Sequence, residues 1–97
     1  MKPQRPSPPA ARELVTVLHA LADPVRLKIA RMASGRELAC GAFGLRLSKP
    51  TMSYHFRILR EAGVIQQRRD GTHRMTSLRR KELDRKFPGL LKSILGD

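Results

Sequence analysis

The 97-residue chain has a single cysteine, Cys40, so it cannot close an internal disulfide and has no framework of the secreted, disulfide-rich kind. No apolar run approaches the ~20 residues needed to span a bilayer. There is no glycine-rich phosphate loop, and the eight carboxylates are scattered without a nucleophile–base set, which leaves little for an enzyme. No internal repeat is visible. Acid is itself scarce. Eight Asp and Glu stand against twenty Lys and Arg, and the resulting +12 favours a polyanionic partner, nucleic acid or an anionic membrane face.

What remains is the composition of an ordinary soluble domain, 40% hydrophobic and 29% charged. The length suits one domain, short enough that pairing with a second copy would add stability. The positive charge is concentrated. Between Arg46 and Lys81 ten basic residues face only Glu61 and Asp70. A charge run can be no more than a solvated face, but like charges with so few local partners are easier to understand if phosphates neutralise them. A membrane-surface role suits the pattern poorly, because the charges do not gather on one amphipathic helix face.

The chain begins with a proline-rich basic leader, Met1–Pro9, expected to be disordered. Lys2, Arg5 and Arg12 ahead of the apolar stretch Leu14–Ala22 could suggest a signal peptide. Glu13, His19 and four prolines argue against one, and a cytoplasmic location is expected. The same stretch reads as an amphipathic helix from about Ala10 to Ala22, with Leu14, Val17, Leu18 and Leu21 on one face. Asp23-Pro24 then starts a second helix that runs to about Ser34. Val25, Ile29, Met32 and Ala33 are placed inward, Arg26, Lys28 and Arg31 largely outward, and Gly35 at a left-handed cap. A short third helix is expected within Glu37–Phe43, against the resistance of Gly41 and Gly44.

Ser48 is suited to cap a fourth helix, residues 49–62, with Pro50 in its first turn and a stop at Gly63. Met52, Phe56 and Leu59 form its inner stripe. Its other sides carry hydroxyls and nitrogens (Thr51, Ser53, Tyr54, His55, Arg57), groups that suit reading base edges and phosphates. Residues 64–78 read as a two-stranded hairpin turning at Asp70-Gly71. Arg79–Lys86 suggests a short basic helix, and Phe87-Pro88-Gly89 separates it from a last amphipathic turn, Leu90–Leu95. That turn is too short to stand alone and needs an apolar support, for which the first helix is a candidate.

This order is that of a winged helix-turn-helix, mainly α with a two-stranded β-wing. Three stretches resemble the arsenic-repressor (ArsR/SmtB-like) transcription regulators: residues 21–29, LADPVRLKI; residues 47–64, LSKPTMSYHFRILREAGV; and residues 68–71, RRDG. The middle stretch is the specific one, and the similarity covers roughly Leu18 to Leu95. The resemblance implies a homodimeric repressor of residues 10–97 on a pseudo-palindromic DNA operator, paired through its first and last helices. On that reading Ser48, Lys49, Thr51, Ser53, Tyr54, His55 and Arg57 lie at recognition-helix positions, and Arg68, Arg69 and Arg74 in the wing. The dimer contacts would be Leu14, Val17, Leu18, Leu90, Leu91, Ile94 and Leu95.

The chain departs from the metal-sensing members of that family. Glu37–Phe43 keeps one cysteine, and after Leu83 there is no histidine and only Asp84 and Asp97 as carboxylates. A zinc-type site needs about four N, S or O ligands, so no metal or other cofactor is expected. Cys40 is either a redox thiol or a small half-buried residue, and little beside it would tune its pKa. His19 reads as a packing residue, His73 as a phosphate contact or an exposed side chain, and His55 as a DNA contact or a polar brace. The methionines read as core filler. No motif marks an inducer pocket. The competing function is a non-specific architectural DNA- or RNA-binding winged helix, but bulk binding needs only Lys and Arg, not the Thr, Ser and His of residues 51–55.

Overall fold

The computed structural model describes the backbone of residues 8–96 and the side chains of residues 13–96. Of the expected leader, residues 1–7 lie outside that range, while Pro8 and Pro9 already belong to the first helix. The elements are α1 (Pro8–Leu21), α2 (Pro24–Gly35), β1 (Leu38–Ala39), a 3₁₀ turn (Cys40–Phe43), α3 (Lys49–Glu61), β2 (Ile65–Asp70), β3 (His73–Leu78), α4 (Arg80–Lys86) and α5 (Leu90–Leu95).

Local chemistry sets most of these boundaries. Asp23 caps α2, its Oδ1 accepting from the amides of Val25 at 2.8 Å and Arg26 at 3.1 Å. The Arg26 amide bond leads in holding the Asp23 carboxyl below its ordinary value, against the opposing effect of burial. At the far end of α2, Gly35 is not the left-handed cap expected. It is the last helical residue, and Arg36 leaves in an extended conformation that feeds β1. Helix α3 ends as the sequence indicates. Gly63 takes φ +80°, its amide donates to Arg60 O and that of Val64 to Leu59 O, the paired bonds of a Schellman motif.

The segment after α2 differs from expectation. Leu38 and Ala39 do not start a helix but pair antiparallel with Thr76 and Met75, so the sheet has three strands in the order β1-β3-β2. The residues that follow close only a 3₁₀ turn, which ends at Gly44 in the left-handed region. Strand β3 offers an open edge, and satisfying those backbone groups outweighs a short helix weakened by Gly41. The β2–β3 hairpin has the expected span, with Ile65 opposite Leu78 and Asp70 opposite His73. Its turn residues are therefore Gly71 and Thr72, and only Gly71 has positive φ, the II′ pattern rather than one with both residues left-handed.

The core lies where α1, α2, α3 and the sheet meet, around Ile29, Phe43, Phe56, Leu59, Ile65 and Leu91. Phe43 meets Phe56 edge-on with ring centroids 5.4 Å apart. Met32 and Met52 are partly buried against this core, and so is Val25. Helix α5 packs chiefly on α4 and α2, and its Leu91 and Leu95 join the same core as Val17 and Leu21 of α1, the expected support. Leu91 and Leu95 are thereby consumed within one chain, as is Val17 of α1.

Candidate nucleic-acid interface

Helix α3 stands between the core and a basic face. Helical spacing turns Phe56 and Leu59 inward and leaves Lys49, Ser53, Tyr54, Arg57 and Arg60 exposed. Ser48 caps it, accepting from the Thr51 amide at 3.3 Å while its hydroxyl donates to Thr51 Oγ1 at 2.9 Å. Tyr54 is 48% exposed, and the Arg57 guanidinium lies 5.9 Å from its ring centre. A large aromatic held at the surface by a cation is a rigid contact element.

The wing adjoins this helix through β2. Strand alternation puts Gln67 and Arg69 on one face of the sheet, with Arg74 directly opposite Arg69. Arg60 donates to Gln67 Oε1 at 2.9 Å, joining the end of α3 to the wing. Gln67 in turn donates from Nε2 to Thr76 Oγ1 at 3.0 Å and to Cys40 Sγ at 3.2 Å. Between helix and wing runs a groove of about 590 Å³ lined by Tyr54, Arg57, Arg60, Gln67 and Arg74, with Cys40 also on its wall.

The electrostatics of this face are one-sided. Among the described residues no carboxylate pairs with Lys49, Arg57, Arg60, Arg69 or Arg74, whereas Arg80, Arg85 and Lys86 of α4 all have one. Arg68 is the exception in the wing. It points to the other face and grips Glu37 with two bonds of 2.9 and 2.6 Å, and that hydrogen bonding raises its pKa further. Arg68 thus already has a carboxylate partner, unlike Arg69 and Arg74 among the described residues.

Of the expected DNA-facing residues, Ser48, Lys49, Thr51, Ser53, Tyr54 and Arg57 come together on α3, with Arg69 and Arg74 beside them. His55 does not join them. It is 9% exposed and its Nδ1 lies 3.2 Å from Arg26 Nη1, so of its two expected roles the structure selects the polar brace. Arg26 was expected outward and is 7% exposed, because it has acceptors to reach inside. Arg60 and Gln67 are additions; the spacing of Arg60 three residues after Arg57 is the signal that could have found it.

Cys40 is half-buried and hydrogen-bonded, and among the described residues no three His, Cys, Asp or Glu lie close enough to hold a metal ion. His73 is exposed in the wing, and His19 is exposed rather than packed. Of the residues expected to pair two chains, Leu14, Leu90 and Ile94 are half-buried and Leu18 is 43% exposed. Val15, outside that set, is 65% exposed beside it, so α1 presents an apolar outer stripe. A smaller cavity of about 320 Å³, marked by no sequence motif, opens between α1, the end of α3 and α4, with Glu61 and Arg79 on its walls.

Residues 21–68 match a family of helix-turn-helix domains. An uncharacterized HTH-type transcriptional regulator of Bacillus subtilis is 40% identical over 82 residues, which is 80% of this chain and 82% of that protein. The arsenical resistance operon repressor of Staphylococcus xylosus is 36% identical over 75 residues, covering 75% of this chain and 72% of the repressor. Among solved structures, a homodimeric winged helix-turn-helix DNA-binding domain from Mycobacterium bovis, a possible ArsR-family regulator, superposes with a TM-score of 0.71. The match covers 97% of this chain and 90% of that one at 23% identity, a likeness of fold. With α3 and its adjoining sheet in the place of a reading helix and its wing, the chain belongs to the arsenic-repressor (ArsR) family of helix-turn-helix transcription regulators.

Proposed function

We propose that two copies of this chain bind one double-stranded DNA operator and repress transcription by occupying it. The observation that carries this reading is the face of α3 and the wing, where hydroxyls and an exposed tyrosine are surrounded by five cations that have no carboxylate partner among the described residues. Ser48, Lys49, Thr51, Ser53, Tyr54 and Arg57 of α3 enter the major groove. Arg60, Arg69 and Arg74 hold phosphates alongside, which fixes the register of the helix on the duplex. The apolar stripe of Val15 and Leu18 on α1, with the half-buried Leu14, Leu90 and Ile94, forms the contact between copies. Val17, Leu91 and Leu95 support that surface from beneath. The protein acts in the cytoplasm, and among the described residues no helix is long and apolar enough to cross a membrane.

Selection of binding sites from a random duplex library, followed by competition between the selected duplex and a scrambled one, tests the proposal. The selected duplex should win by at least ~1,000-fold at physiological salt. Equal affinity for the scrambled duplex would instead assign the face to non-specific architectural binding, and a preference for structured RNA would refute DNA as the partner.

A further inference from the structure

The face just described has a rear support that no part of the DNA reading uses. Arg26 is buried behind α3, yet no carboxylate forms an ion pair with its guanidinium among the described residues. Its Nε donates to Ala20 O at 2.6 Å, its Nη2 reaches His19 O at 3.5 Å, and its Nη1 lies 3.2 Å from His55 Nδ1. The neighbouring Asp23 spends its Oδ1 on the backbone amides of Val25 and Arg26. The Asp23 carboxylate acts on the Arg26 charge only through space, since every direct hydrogen bond of the guanidinium goes to a neutral acceptor. A buried cation so placed can cost more than a well-packed apolar side chain, so stability alone does not account for it.

Its geometry does. The side chain belongs to α2, two of its acceptors are carbonyls of the last turn of α1, and the third is a ring on α3, so three helices meet at one guanidinium. Arginine has only donors. Nδ1 of His55 must then be the acceptor, and the neutral ring carries its proton on Nε2. The apolar contacts of Phe56 and Leu59 hold α3 against the core with little directional preference, whereas a hydrogen bond weakens as its angle opens. On the inner side of α3 the Arg26–His55 bond is thus the directional contact that opposes rotation of the helix about its own axis, as the Arg60–Gln67 bond does on the side of the wing. His55 is flanked by Tyr54, whose ring meets the imidazole edge-on at 5.5 Å, so a rotation at His55 moves a reading residue at once. A turn of ~10–20° is enough to spoil a designed contact.

We propose that Arg26 and His55 are positioning residues that lock the rotation of α3 to the last turn of α1. That turn directly follows Leu18, so the joint ties the angle of the reading helix to the surface on which two copies pair. This rests on the operator reading above for its functional consequence, and on the hydrogen-bond geometry alone for its structural one.

The test uses His55→Leu, which removes the acceptor, and His55→Asn, whose Oδ1 stands where Nδ1 does. Affinities for the selected operator and for a scrambled duplex are measured at one salt concentration. His55→Leu should lose about tenfold on the operator while changing about twofold or less on the scrambled duplex, and His55→Asn should recover most of the loss. An unchanged operator affinity in His55→Leu, or equal losses on both duplexes, overturns the proposal. A second readout needs only the unaltered chain: long-range ¹H–¹⁵N spectra should show the His55 ring fixed with its proton on Nε2. A ring that averages both tautomers, or sits in the other one, overturns the joint even if the leucine variant fails to fold. Should the unaltered chain prefer no duplex, the operator reading fails by itself, and the ring spectrum still decides the joint.

Discussion

Arg68 and Arg69 are adjacent in β2, both are exposed, and their removal should affect DNA binding differently. Each phosphate neutralised by a protein cation contributes about 0.9 to the slope of log K against log salt. Arg69 has no carboxylate partner among the described residues, whereas Arg68 is already neutralised by the two-pronged contact with Glu37. Arg69→Ala should therefore flatten the slope by about 0.9 per chain, or about 1.8 for two chains on one site. Arg68→Ala should leave the slope nearly unchanged and weaken binding only through the carboxylate it uncovers. Glu37→Gln should act in the opposite sense, freeing Arg68 and steepening the slope by up to about 0.9 per chain on any duplex. The five cations without a carboxylate partner among the described residues set a ceiling of about 4.5 per chain for this face. Fluorescence anisotropy with one labelled duplex between about 50 and 200 mM salt reads all of these. Equal flattening in the two arginine variants, or no change in Glu37→Gln, would refute the distinction between a free and a committed wing cation.

Other consequences concern the scaffold. Leu59→Ala, at a fully buried position, should lower unfolding stability by about 2–5 kcal/mol in a denaturant titration. Asp23→Ala should cost about 1 kcal/mol through the lost cap. Because the folded Asp23 carboxyl is held below its ordinary value of 3.8, that difference should be complete above this pH and shrink as the pH falls below it, which acid unfolding of both variants measures. Gly71→Ala should destabilise the hairpin by about 1–2 kcal/mol because of its φ of +64°. Gly35→Ala, in ordinary helical geometry with open space around it, should instead be neutral or stabilising by up to about 1 kcal/mol. Replacing Val15 and Leu18 together by lysine should leave the circular dichroism of the fold intact and give the 10.9 kDa mass of one chain in sedimentation, where the unaltered chain gives twice that.

The elements that were legible in the sequence are those specified locally. Asp23-Pro24, Ser48 with Pro50, and Gly63 carry their own helix ends, and the apolar spacing of α3 names its inner face, whereas that of α1 groups the buried Val17 and Leu21 with the exposed Leu18. The exposed part of the reading helix follows from its own spacing. What was not legible depends on partners distant in the chain. Leu38 and Ala39 become a strand only because β3 offers an edge some 37 residues later. Arg68 finds its carboxylate partner in Glu37, 31 positions away. Arg26 and His55 each look like surface polar residues until the fold puts them within hydrogen-bonding distance across 29 positions. Leu91 and Leu95 have the spacing of an interface stripe, but with so short a helix the chain's own core takes them first.

The central claim is that α3 reads DNA from the major groove in a symmetric pair. Methylation protection on the selected duplex tests it most directly. The account predicts two patches of protected guanine N7 atoms in the major groove, centred about 10 base pairs apart and related by a two-fold axis. Both patches should vanish when Tyr54 and Arg57 are replaced by alanine. Uniform protection without a major-groove pattern, or a single patch that survives those substitutions, would contradict it.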